Sequence, residues 1–236
     1  MKNKPTVLIL MLLALFFGQS ACELENPEEG IAIEEIISLS IEGGATSLLA
    51  DSTSQVEIIA TLGAQAAANS SITFRTEDGR FAEAAVDTPQ TYTVNASSKT
   101  ARATLISSTT VSSSVVLSAQ VGDFTNTTSI EFARAAATDF TVELNPPIVT
   151  AGANASTIVT VQLYRNDRES IPSNNTKVSF DLTPLDSARA EVPAFLFSSN
   201  STAQATVRST NGEAGLLELE VTVEGLSSFV DTIQYQ

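Results

Sequence analysis

Few side chains in this sequence can do covalent or metal chemistry. Its 236 residues include no histidine, no tryptophan and a single cysteine, Cys22. Imidazole catalysis, His/Cys zinc sites and internal disulfides are excluded at once, because each needs groups that are missing. Carboxylates are plentiful: Asp and Glu number 27 against 12 Lys and Arg, for a formal charge of −15. That balance repels nucleic acid, so no nucleic-acid partner is expected. Glu77, Asp78, Asp123, Asp139 and Glu213 fall among turn-forming residues. Calcium takes about 6–8 oxygens converging from a defined loop, a spacing these carboxylates lack. They read as solvated loop charges, with a structural calcium near Asp139 as the alternative; no metal set and no cofactor is expected. An acid/base carboxylate pair needs a cleft that tunes the two groups apart, and short loops offer little cleft. Sugar-binding surfaces usually present aromatic platforms, and here only Tyr92, Tyr164 and Tyr235 are candidates besides phenylalanine, with Tyr235 spaced like a core residue.

The one cysteine is best explained by what precedes it. Lys2 and Lys4 make a basic start, Val7 to Phe17 is an unbroken apolar run, and Gly18, Ser20 and Ala21 are small. The run suits a signal peptide but is too short to cross a bilayer core of about 30 Å. Ser20-Ala21-Cys22 resembles a bacterial lipoprotein signal, in which the cysteine is lipidated and becomes the mature N-terminus; Gln19 stands where Leu is usual. Lipidation of Cys22 is therefore expected, with ordinary cleavage after Ser20 as the rival. Acyl chains there would hold the protein to a membrane, each buried methylene contributing about 0.8 kcal/mol. The following Glu23-Leu24-Glu25-Asn26-Pro27-Glu28-Glu29-Gly30 cannot build a core and reads as a hydrated tether. Acidic residues after such a cysteine resemble a signal for display on the outer face of the outer membrane. The expected location is outer membrane, facing outward; the alternatives are its periplasmic face or secretion.

The rest of the chain repeats at an offset of about 103 residues. Ile37, Leu39 and Ile41 return as Phe140, Val142 and Leu144. Val56, Ile58, Ala60 and Leu62 align at the same offset with Val159, Val161 and Leu163. Ile72-Thr73-Phe74 returns as Val178-Ser179-Phe180 after three extra residues. Ala101 to Leu105 returns as Ala203 to Val207, Val115 to Val121 as Leu217 to Val223, and Ile130 and Phe132 as Ile233 and Tyr235. Every block alternates apolar and polar residues with period two, the pattern of a strand with one buried face. Turn formers such as Glu77-Asp78-Gly79 and Asn211-Gly212 separate them. About seven strands per hundred residues predicts an all-β chain of two tandem immunoglobulin-like β-sandwiches after a cleaved signal peptide. The expected division is signal 1–21, acidic tether 22–36, first sandwich 37–133 and second sandwich 139–236.

Ala50-Asp51-Ser52, the strands Ile72-Thr73-Phe74 and Val178-Ser179-Phe180, and the segments Ala101–Leu105 and Ala203–Val207 together resemble bacterial immunoglobulin-like domains of the invasin/intimin type. In that family Ala-Asp-Gly, Val-x-Phe and Gly-x-Ala-x-Val stand at these places; here Ser replaces the first Gly and Ala the second. The resemblance implies adhesins, or spacer domains within them, and carries no catalytic residue. The sequence therefore points to a non-enzymatic binding or adhesion module with an unknown protein or glycan ligand. A structural spacer or accessory subunit is the alternative, and a carbohydrate-binding lipoprotein a remoter one. Phe195 and Phe197, in the apolar stretch 191–197, are candidate partner contacts unless that stretch is a strand entering the core. Ser52 and Ser187, each after an Asp, and Thr232 after Asp231 resemble O-glycosylation sites of some Gram-negative bacteria.

Overall fold

The computed structural model describes residues 32–165 and 170–236. The signal segment, Cys22 and most of the tether lie outside the described residues. Apart from two single 3-10 turns, at Ile33–Glu35 and Glu42–Gly44, the regular structure of the described residues is strand.

The first copy contains β1 (Ile37–Ile41), β2 (Ser47–Leu49), β3 (Gln55–Leu62), β4 (Ser71–Thr76), β5 (Arg80–Phe81), β6 (Thr91–Asn95), β7 (Thr100–Ile106), β8 (Ser112–Val121) and β9 (Phe124–Ala133). The second contains β10 (Asp139–Asn145), β11 (Ile148–Val149), β12 (Ser156–Tyr164), β13 (Lys177–Pro184), β14 (Ala190–Glu191), β15 (Phe195–Phe197), β16 (Thr202–Ser209), β17 (Gly215–Val223) and β18 (Phe229–Tyr235). The sheets are β1-β3-β7-β5 with β2-β9-β8-β4-β6, and β10-β12-β16-β14 with β11-β18-β17-β13-β15. Each copy is a β-sandwich of the immunoglobulin-like type, and the two share one strand order.

Nine strands per copy exceed the seven expected, for two reasons. The opening strand is broken in both copies, by Gly43 and Gly44 at positive φ in one and by Pro146-Pro147 in the other. Proline lacks the N–H that a ladder needs, and glycine turns freely. After the break, β2 and β11 cross to the opposite sheet and run parallel to the last strand, β9 or β18. The remaining additions, β5 and β14, are two residues long.

Alternation in the sequence carries directly into burial. Along β17, Leu217, Leu219, Val221 and Val223 are buried while Glu220 and Thr222 face water. The two cores are separate: Ile72, Phe74, Leu117, Ile130 and Phe132 belong to one, and Leu163, Leu217, Leu219, Ile233 and Tyr235 to the other. Each such buried aliphatic side chain contributes about 1.5–3 kcal/mol.

Strand pairing corrects two details of the repeat. Leu62 pairs with Ile37, and Leu163 with Phe140, so Leu62 corresponds to Leu163 and Ile58 to Val159. The offset there is 101 residues rather than 103. A two-residue slip leaves the alternation unchanged, so the pattern by itself could not reveal it. The loop before β13 is correspondingly longer than expected: ten positions separate Leu62 from Ile72, but fifteen separate Leu163 from Val178.

The described end of that loop, 170–176, forms the joint between the sandwiches. Ser173 is fully buried. Its N–H donates to the Ala135 carbonyl at 2.9 Å, its Oγ accepts from the Ala135 N–H at 2.8 Å, and its hydroxyl donates to the Ala50 carbonyl at 2.8 Å. The Asn174 N–H donates to the Thr109 carbonyl at 2.9 Å and the Ile171 N–H to the Asp51 carbonyl at 3.3 Å. Ala135 and Ala137 of the connecting segment are both buried, Ala137 in the core of the second sandwich.

Candidate functional site: an aromatic sheet edge

Among the described residues β15 is the last strand of its five-stranded sheet and pairs only with β13. Its middle residue, Leu196, packs against the core, which the stretch 191–197 therefore does enter. Phe195 and Phe197 flank it on the opposite face and are 48% and 56% exposed. Their rings meet edge to face with centroids 5.7 Å apart, and the Lys177 ammonium sits 4.9 Å from the centre of the Phe195 ring. The two-residue period that buries Leu196 is what puts both rings on one outer surface.

The first sandwich supplies an internal comparison. Ser179 pairs with Phe195 as Thr73 pairs with Thr93, and Lys177 with Phe197 as Ser71 with Asn95. At the same edge and on the same face, copy one thus carries Thr93 and Asn95. The fold itself does not require aromatics there. Burial in the core does not account for two phenylalanines that lie half exposed on one surface.

The sheet surface beside them is acidic. Next to β15 lie Lys177, Ser179 and Asp181 of β13; beyond them come Glu224, Thr222, Glu220 and Glu218 on or just after β17. Val230 of β18, opposite Glu220, is 54% exposed. Among the described residues the single salt bridge is Arg102–Glu57 at 2.6 Å, on the other sandwich.

The other candidates occupy scattered places. Ser52 is partly exposed in a left-handed turn at φ 67°, next to Asp51. Ser187 is exposed and its hydroxyl donates to the Ala214 carbonyl at 2.8 Å. Thr232 lies mid-strand in β18 and is exposed. Tyr92 and Tyr164 are half-buried, whereas Tyr235 is buried. Cys22 lies outside the described residues.

Several loop carboxylates act as local caps. Asp78 accepts from the Gly79 N–H at 2.6 Å and from the Ser108 hydroxyl at 2.8 Å. Asp51, buried in the turn before β3, accepts from the Ser54 N–H at 2.6 Å and the Thr53 N–H at 3.0 Å, and from both their hydroxyls. Burial raises its pKa, but these donors outweigh that and hold the carboxyl below the ordinary aspartate value. Among the described residues no group of three or more His, Cys, Asp or Glu side chains is placed to hold a metal ion.

Sequence reasoning missed one concavity, an open groove of about 590 Å³ lined by Ile36, Ala66, Val121 and Phe124 at the tether end of the first sandwich. Its signal was Phe124, an aromatic directly after the Val121-Gly122-Asp123 turn.

No protein-family model matches the chain, and no curated protein matches it. Among solved structures, invasin, a bacterial integrin-binding protein, superposes with a TM-score of 0.58 at 17% identity. That match covers 84% of this chain and 39% of invasin. The adhesin InvE of Yersinia pseudotuberculosis gives a TM-score of 0.52 at 15% identity, covering 87% of this chain and 60% of InvE. The chain therefore spans less than two thirds of either protein. At these identities the likeness establishes a shared fold, the immunoglobulin-like sandwiches expected from the short motifs in both repeats.

Proposed function

We propose that this chain is a non-enzymatic binding or adhesion module displayed at the bacterial surface and held there by lipid on Cys22. The observation that carries the reading is the exposed Phe195–Phe197 pair on an edge strand whose counterpart in the first sandwich bears Thr93 and Asn95. A fold shared with invasin and the adhesin InvE supports it. Two phenylalanines can bury a large apolar area at low entropic cost, since each has only two rotatable side-chain bonds. A partner that desolvates them would release the water now covering both rings.

The test is crosslinking on intact cells expressing the wild-type chain or the F195T/F197N double variant, with the captured protein or glycan identified by mass spectrometry. A partner recovered with the wild type and lost with the double variant is the expected outcome. Equal recovery from both would remove the aromatic pair from the reading. Lipid at Cys22 is tested separately, by incorporation of labelled palmitate that disappears in Cys22→Ser.

A second reading, a structural spacer, is favoured by one observation: the buried Ser173 joint ties the two sandwiches by backbone and side-chain hydrogen bonds. A spacer would leave crosslinking and surface adherence unchanged in F195T/F197N. It would instead lose function when the joint is loosened.

A further inference from the structure

The backbone of β15 adds information that the exposed rings do not. The Phe180 N–H donates to the Ala194 carbonyl at 3.0 Å, and the Ser198 N–H to the Thr176 carbonyl at 2.9 Å. Even-numbered residues of this segment therefore point their polar groups inward, to β13. In an antiparallel ladder these groups alternate sides, so the N–H and C=O of Phe195 and Phe197 point to the open edge. Such an edge is a template for another strand. An incoming strand would lie about 4.8 Å from β15, with every second side chain on the face that carries the phenylalanine rings.

Charge says what that strand should carry. Among the described residues of the outer face, Asp181, Glu218, Glu220 and Glu224 stand against one cation, Lys177, and the whole chain is at −15. Arginine or lysine at alternate positions would meet this acidic face while its stem lies along the rings, a cation–π arrangement that Lys177 already makes with Phe195. A second copy of this chain would bring the same acidic surface with it and be repelled.

We infer that β15 binds an extended segment of a partner protein by strand addition, main chain to main chain at Phe195 and Phe197, with basic partner side chains over the acidic outer face. This rests on the reading of the phenylalanine pair as a contact surface, and specifies how the contact is made.

The test uses the full chain and a short peptide alternating lysine with valine, with a glutamate–valine peptide as control. Residue-resolved hydrogen exchange is measured with and without each peptide. The lysine peptide is expected to slow exchange of the Phe195 and Phe197 amides by about tenfold or more, and to lose most of its effect in high salt. F195T/F197N should abolish the protection while keeping its fold, since threonine and asparagine occupy the equivalent sites in copy one. D181N/E220Q, which leaves the rings in place, should weaken it. Peptide binding that depends on the rings but leaves both amides unprotected would overturn strand addition and leave the contact reading standing. Binding that ignores the rings as well would count against both. Equal protection by the glutamate peptide would overturn the charge argument. Protection without any peptide, together with dimerisation, would make a second copy the occupant and overturn the proposal. The absence of binding by either peptide would also overturn it, while the crosslinking comparison judges the contact reading on its own.

Discussion

Asp51 and Tyr235 show how single residues in two near-copies of one domain take different roles. Asp51 spends its carboxylate on the N–H and hydroxyl groups of Thr53 and Ser54, in a turn whose own carbonyl receives the Ile171 N–H from the second sandwich. Asp51→Ala should cost about 1 kcal/mol, because the N–H and hydroxyl groups of Thr53 and Ser54 lose their acceptor while remaining within reach of water, and denaturant midpoints would measure it. Its folded pKa lies below the unfolded value. The stabilisation is thus complete above the unfolded value of about 3.9 and falls away as pH drops through the lower folded one. Wild type should lose more stability than Asp51→Ala over that acid range; parallel losses would show that the carboxylate contributes nothing. Tyr235 is the opposite case. It stands where the first copy has Phe132, and its hydroxyl is buried with no hydrogen-bond partner among the described residues. Burial raises its pKa. Tyr235→Phe should therefore raise stability by up to about 1 kcal/mol, read as a higher melting temperature. A lower one would mean that the hydroxyl has a partner after all.

At the scale of strands, parity decides which substitutions matter. Leu219→Ala on the inner face of β17 should cost about 2–5 kcal/mol, whereas Thr222→Ala on its outer face should change stability by less than about 0.5 kcal/mol. Similar losses for both would contradict the assigned register. The same parity separates β15 from β6. Both are edge strands paired to the equivalent strand of their sheets, yet one presents Phe195 and Phe197 where the other presents Thr93 and Asn95. An exposed aromatic edge is an aggregation hazard that proteins usually blunt with charge or polar residues, and β6 follows that practice. F195T/F197N should accordingly aggregate less than wild type in concentrated solution, as followed by light scattering.

For the whole molecule, the joint matters most. The connecting segment from Ala133 to Asp139 has no glycine, and the longer loop before β13 brings Ser173 into the space between the sandwiches. Ser173→Ala removes both bonds of its hydroxyl and leaves the Ala135 N–H and Ala50 C=O without them, at a cost of about 1–3 kcal/mol. Because each sandwich keeps its own core, the expected effect is a looser joint rather than unfolding. Small-angle scattering should then show a broader distribution of overall dimensions with unchanged strand content. An unchanged distribution would mean that the alanine-rich connection holds the two together without the serine.

Much of this architecture is legible in one dimension. A period of two along Leu217–Val223 dictates a strand with one apolar face, because successive side chains leave a strand on opposite sides. Recurrence of such blocks in one order dictates two copies of one sandwich. Composition removes imidazole and thiol chemistry from the described part of the chain. Pairing partners are another matter, since they depend on contacts between residues far apart in sequence. A slip of two residues preserves alternation, so the correspondence of Leu62 with Leu163 emerged only from what each strand lies against. The extra residues before β13 were countable, but their meeting with Ala50 and Ala135 required both sandwiches to be folded. Phe195 and Phe197 were visible as an apolar stretch, and no local pattern says whether such a stretch enters a core or lies along it. Leu196 faces in and its neighbours face out because pairing with β13 sets Leu196 opposite the buried Val178, on the core side of the sheet, and Phe195 and Phe197 opposite Ser179 and Lys177 on the other side. That is a property of the finished sheet.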